Sequence, residues 1–144
     1  MIKAFLTVNH LSILVAAVAS WLFAFAYYSL FGGAWMRAQG KTMEQCKAEM
    51  AGKSKLEMAT PFVLAFAGAV IMAWALYGVL LHMNNFTLRA GMISGAIIWF
   101  GFVLTTVTVN NAFAGRPRML TVIDSLQWLG GLLIMGAIVG WFGA

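Results

Sequence analysis

Residues 60–83 read TPFVLAFAGAVIMAWALYGVLLHM, and none of these 24 positions carries a charge. The charge-free interval is longer still, because no Asp, Glu, Lys or Arg falls between Glu57 and Arg89. A helix needs about 20 residues to cross the hydrocarbon core of a bilayer. A charge at its centre costs several kcal/mol, so a long uncharged apolar run is the signature of a spanning helix.

The pattern occurs four times. No charged residue lies between Lys3 and Arg37, between Arg89 and Arg116, or after Asp124. The runs lack period-2 alternation and are about twice too long for the strands of a membrane barrel. The expectation is an all-α, polytopic membrane protein, a single four-transmembrane-helix bundle over residues 1–144. The spans are placed at about 8–31, 60–83, 89–111 and 120–142. Composition agrees: 62% of the chain is hydrophobic and 9% charged, against about 25% charged in soluble domains. A chain this short cannot bury so much apolar surface on its own, which makes the lipid bilayer its first partner.

The net charge of +5 does not point to nucleic acid, because the basic residues border the apolar runs and form no aromatic-interleaved patch. They read as topology signals. Arg37, Lys41, Lys47, Lys53, Lys55, Arg116 and Arg118 fall in the first and third connections, and only Lys3 and Arg89 fall on the other side. The positive-inside rule then places those connections in the cytoplasm and both termini outside. Ala17-Val18-Ala19 resembles a signal-peptidase site. The apolar run continues past it to Phe31, however, and ends in Tyr27, Tyr28, Phe31 and Trp35, which suit an interfacial belt.

The first connection is the only polar segment. Thr42 followed by Gln45 has capping-box spacing, and Met43, Cys46 and Met50 share one face. A short cytoplasmic interfacial helix is expected there, ended by Gly52, with its methionines toward the membrane and Glu49 paired to Lys53. The single Cys46 excludes an internal disulfide and a CxxC site.

Membrane helices associate through small residues that let backbones approach. Each span carries such a stripe: Ala16, Ser20 and Ala24; Ala65, Ala69 and Ala73; Gly91 and Gly95; Gly136 and Gly140. The four glycines lead as candidates for self-association into a homo-oligomer. Phe31-Gly32-Gly33 after the first span and Phe113-Ala114-Gly115 after the third, each soon followed by Arg and Met, suggest two pseudo-repeated hairpins.

Asp124 is the one carboxylate inside a span, and intramembrane acids are functional candidates by default. Its shallow depth and the nearby Arg116 and Arg118 favour a structural anchor. Asn110 and Asn111, with Thr105, Thr106 and Thr108, crowd one end of the third span. Gln127 follows Asp124 by one helical turn. With Tyr28 and Ser29 they form a candidate polar cluster at the cytoplasmic mouth, the blander reading being interhelical hydrogen bonds. His10 and His82 are too few for a metal or haem site. No nucleophile motif, phosphate loop or carboxylate pair occurs. No catalytic, cofactor-binding or metal residue is therefore assigned, and no cofactor is expected.

Three segments resemble, in order and spacing, the bacterial membrane family catalogued as domain of unknown function 1761. They are Tyr28-Ser29-Leu30-Phe31-Gly32-Gly33-Ala34-Trp35-Met36; Asn110 ahead of Phe113-Ala114-Gly115-Arg116-Pro117; and Ile123-Asp124-Ser125-Leu126-Gln127-Trp128-Leu129 leading to Met135-Gly136-Ala137-Ile138. Ser125-Leu126 stands where a small residue and then Gly would be expected. The resemblance implies a four-helix protein of the bacterial inner membrane and carries no activity. The function expected is that of a non-enzymatic protein acting by self-association or as an accessory subunit of a larger membrane complex. The alternative is a small oligomeric transporter or channel. An enzyme acting on lipids or quinones through Asp124 and the arginines ranks last.

Overall fold

The computed structural model describes residues 8–144, so Lys3 lies outside the described residues. Among the described residues the fold has five helices: α1 (His10–Ala38), α2 (Met43–Ala51), α3 (Lys55–His82), α4 (Leu88–Phe113) and α5 (Arg118–Phe142). All but α2 are long and apolar enough to cross a membrane.

The helices begin and end where local chemistry directs. Thr42 caps α2 and Ser54 caps α3, each in a complete capping box with Gln45 and Glu57. Asn9 and Thr87 cap α1 and α4 through their side chains. Gly40 and Gly115, at φ +69° and +63°, follow the ends of α1 and α4 in the left-handed region that glycine adopts without strain. In each case the next amide reaches back across the turn, Lys41 to the Met36 carbonyl and Arg116 to that of Asn111.

These ends revise the expected boundaries. Gly32 and Gly33 lie inside α1, which runs on to Ala38. A helical glycine backbone needs no special φ, and nothing near these two breaks the hydrogen-bond ladder. The counterpart of Gly115 is therefore Gly40, not Gly33. The Glu49 carboxylate takes Lys41 Nζ at 2.7 Å across the cap, the one ion pair among the described residues, in place of the expected pairing with Lys53. Met43 and Met50 stand exposed on α2.

Helix α5 is the central element, packed along α1 on one side and α4 on the other. Where α4 crosses α5, the glycines touch backbone to backbone. A Cβ on Gly91 would overlap the Gly136 carbonyl, one on Gly136 the Gly91 carbonyl, and one on Gly140 the Thr87 carbonyl. On Gly95 it would stand 2.6 Å from the Leu132 carbonyl. These four residues were expected to lead self-association. They are consumed inside the chain, because the short 114–117 connection folds α5 back along α4 and the glycines stand where the two backbones meet. Ala16, Ala69 and Ala73 are buried in the same layer with Leu76, Leu80, Met135 and Val139.

The other end is different. Helix α3 packs on α4 only as far as Ile98; beyond it the two have no comparable packing. Pro61 lacks the amide that would bond the carbonyl one turn back. Ala65 is exposed and Ala24 half-buried, so the lower members of their stripes face open space. The expected hairpin repeat is accordingly unequal. In that comparison α4 is the counterpart of α1 and α5 that of α3; α4 meets α5 backbone to backbone at its glycines, whereas no glycine of α1 or α3 touches the other helix.

Candidate functional site

The parting of α3 from α4 leaves a cavity of about 910 Å³ at the α2 end of the bundle. Its walls come from all four long helices. Seven of the eight expected cluster residues line it: Tyr28, Ser29, Asn110, Asn111, Arg116, Asp124 and Gln127. Arg118 does not; it is exposed at the start of α5.

Two features of α4 shape this end. The helix widens to a π-helical segment over Trp99–Leu104, which shifts the face presented by every residue after it. Such segments collect at functional sites. Trp99 Nε1 donates to the Ser125 carbonyl at 2.7 Å and ties the widened turn to α5. Beyond it, Val107, Asn110 and Asn111 face the cavity. Asn111 is buried and its Nδ2 donates to Thr121 Oγ1 at 3.0 Å, a bond between α4 and α5. Thr105 donates to carbonyls of its own helix, to Gly101 at 2.9 Å and Phe102 at 3.1 Å, and so joins no other helix.

Asp124 sits on the cavity wall facing α1. Its Oδ1 accepts from the Tyr28 hydroxyl at 2.8 Å and from Trp35 Nε1 at 3.1 Å. Tyr28 and Trp35 are seven residues apart, two turns on one face of α1. Their rings meet edge-on at 6.2 Å. The anchor expected for Asp124 is therefore built from neutral donors. Neither Arg116 nor Arg118 forms an ion pair with it, since the described residues hold only Lys41–Glu49. The reason is directional: the arginines sit around the Pro117 turn, while the carboxylate points along α5 toward α1. Nor does it cap the helix, because Pro117 holds the N-cap position, seven residues before Asp124, and the first turn holds no acid.

Gln127 is 5% exposed, lines the cavity, and its amide has no hydrogen-bond partner among the described residues. Its polar atoms are not among the fully buried ones without a partner, so they open onto the cavity. Ser125 Oγ, one residue before the Leu126 that stands where Gly would be expected, is buried without a partner.

The aromatic part of the wall was not singled out as a site in the sequence. Trp21, Phe25, Phe62 and Trp128 belong to it. Trp21 Nε1 donates to the Phe62 carbonyl at 3.2 Å, and Phe25 stacks on Phe62 at 5.3 Å and 2°. These contacts close the α1–α3 side and leave the α3–α4 side as the opening. Trp21, Phe25 and Tyr28 recur at helical spacing on α1, a signal that pointed equally well to lipid contact. His10 and His82 are far from this site, and the described residues contain no cluster of three His, Cys, Asp or Glu able to hold a metal.

The family model described as protein of unknown function (DUF1761) matches residues 11–140. No curated protein and no solved structure matches the chain.

Proposed function

The chain belongs to the DUF1761 family, and from that premise we propose that it is a non-enzymatic membrane protein that holds a small amphiphilic molecule between its helices. The cavity carries the reading. Ligand sites typically enclose about 300–1,000 Å³, with apolar walls and a few converging polar groups. This one has aromatic and small apolar walls, with Asp124, Gln127 and Asn110 at one end. Its opening between α3 and α4 lies along the apolar flank of the bundle, a route by which a lipid-soluble molecule enters from the bilayer. The proposal puts α2 and the cavity mouth on the cytoplasmic side of a bacterial inner membrane, supported by the seven Lys and Arg of the first and third connections. Both termini then face outward. A homo-oligomer or a larger membrane complex is not required, and would use surfaces other than the four glycines.

The test is extraction of the purified protein with organic solvent and mass spectrometry of what it carried. Ala65 is exposed on the cavity wall. Ala65→Trp is expected to fill the space and strip a compound that the parent retains. Identical extracts from a folded Ala65→Trp variant and the parent would refute the reading.

A second reading is a transporter, favoured by one observation: the helices part around the cavity at one end, while at the other α4 and α5 meet backbone to backbone, as in one state of an alternating-access cycle. It requires the Gly91–Gly136 contact to part. Flux of the extracted compound across proteoliposomes separates the two.

A further inference from the structure

We infer that the cavity takes an organic cation: a lipid-soluble amine or quaternary ammonium group seated beside Asp124. This rests on the ligand-binding reading above and names its ligand class.

Asp124 is the one carboxylate among the lining residues. Its Oδ1 is occupied by two neutral donors, and its Oδ2 receives none from the described residues. The hydrogen bonds orient the carboxylate but leave its charge uncancelled, because no Lys or Arg pairs with it. An intramembrane charge is retained where something compensates it. A cation in the adjoining space would do so. The surroundings suit a cation with carbon substituents. Tyr28 and Trp35 flank the carboxylate, and Trp21 and Trp128 face the same space. Aromatic faces attract organic cations within about 6 Å. The Gln127 side chain, 5% exposed and lining the cavity one turn from Asp124, offers a carbonyl oxygen to an amine N–H. Arg116 lies on the rim, exposed, after the Gly115 turn. It opposes a cation, so its removal should strengthen binding.

The experiment uses the whole chain in maltoside micelles and reads tryptophan fluorescence, with Trp21, Trp35 and Trp128 as reporters in the cavity. The probes are benzyltrimethylammonium and neopentylbenzene, its uncharged carbon isostere. The cation is expected to bind the parent saturably and at least tenfold more tightly than the isostere. Asp124→Asn should lose at least tenfold for the cation and nothing for the isostere, and Arg116→Gln should bind the cation as well as the parent or better. Equal binding of both probes by the parent overturns the cation inference while the cavity reading stands. Binding of neither overturns both. The comparison on the parent decides the matter even if Asp124→Asn does not fold. Nanodiscs distinguish a lipid headgroup from a free amine as the source. If phosphatidylethanolamine competes with the probe and phosphatidylglycerol does not, the occupant is the lipid ammonium; if neither competes, it is a free amine.

Discussion

The two halves of α5 lie in one helix of 25 residues and meet opposite surroundings. Its second half, from Leu132 on, is pressed against α4 so closely that a single Cβ has no room, and Leu132, Met135 and Val139 are completely enclosed. Its first half, around Asp124 and Gln127, borders open space of about 910 Å³. Dense packing holds a membrane bundle together where lipid gives no hydrophobic drive between helices. The difference teaches a division of labour: the glycine crossing supplies stability, and the parted end is relieved of that task and free to carry polar groups and a ligand.

Substitutions can break this comparison. The largest effect is expected at the crossing. Gly136→Ala places a methyl against the Gly91 backbone, and overpacking of this kind costs about 3 kcal/mol. For a chain of this size that is a melting shift of roughly 6–12 °C downward, read by thermal denaturation in detergent. An unchanged melting temperature would mean that the crossing is not the stabilising element. At the open end, Tyr28→Phe deletes a hydrogen bond to a carboxylate. It should cost about 1.5 kcal/mol, seen in the same assay as a smaller downward shift. Gly101→Ala sharpens the contrast, since nothing lies within 4 Å of a Cβ there. It should be neutral or raise stability by up to about 1 kcal/mol through lower chain entropy.

The smallest effect is expected outside the bundle, at Lys41 and Glu49. The ammonium of Lys41 bonds the Glu49 carboxylate and holds it below the ordinary 4.5, while Glu49 raises Lys41 above 10.5. The pair's contribution is present from 4.5 up to 10.5. It is lost as pH falls through the lowered value of Glu49 or rises through the raised value of Lys41. Both groups are solvent-exposed, so salt screens the pair. Lys41→Gln should modestly speed amide exchange in α2 at pH 7 and leave it unchanged in strong acid.

Much of the fold was legible in the sequence because lipid imposes coarse rules. Four uncharged runs and the Thr42–Gln45 capping box appear as helices and cap, and the small-residue stripes appear as contacts except at Ala24 and Ala65. The polar cluster was legible too, since Asp124, Gln127 and Asn110 stand out against apolar surroundings. What the sequence hid were matters of partner choice. Glycine faces read the same whether the partner is another copy or another helix of the same chain. Trp35 read as an interfacial residue, although its indole turns inward to Asp124. Trp99–Leu104 carries no Pro, and its Gly101 is of a kind common in membrane helices, so the π-helical turn was invisible. It shifts the faces that Asn110 and Asn111 present.

The claim that the cavity belongs to one half of the bundle has a direct test on α5 itself. Gln127 and Met135 are both buried, at 5% and 0% exposure, and differ in that only Gln127 lines the cavity. With Cys46, the single native cysteine, replaced by Ser, Gln127→Cys and Met135→Cys are each treated with a methanethiosulfonate bearing an ethyltrimethylammonium group, and the rate of modification is followed by mass spectrometry. The account predicts rapid modification at 127 and protection at 135. Equal protection at both positions would contradict it.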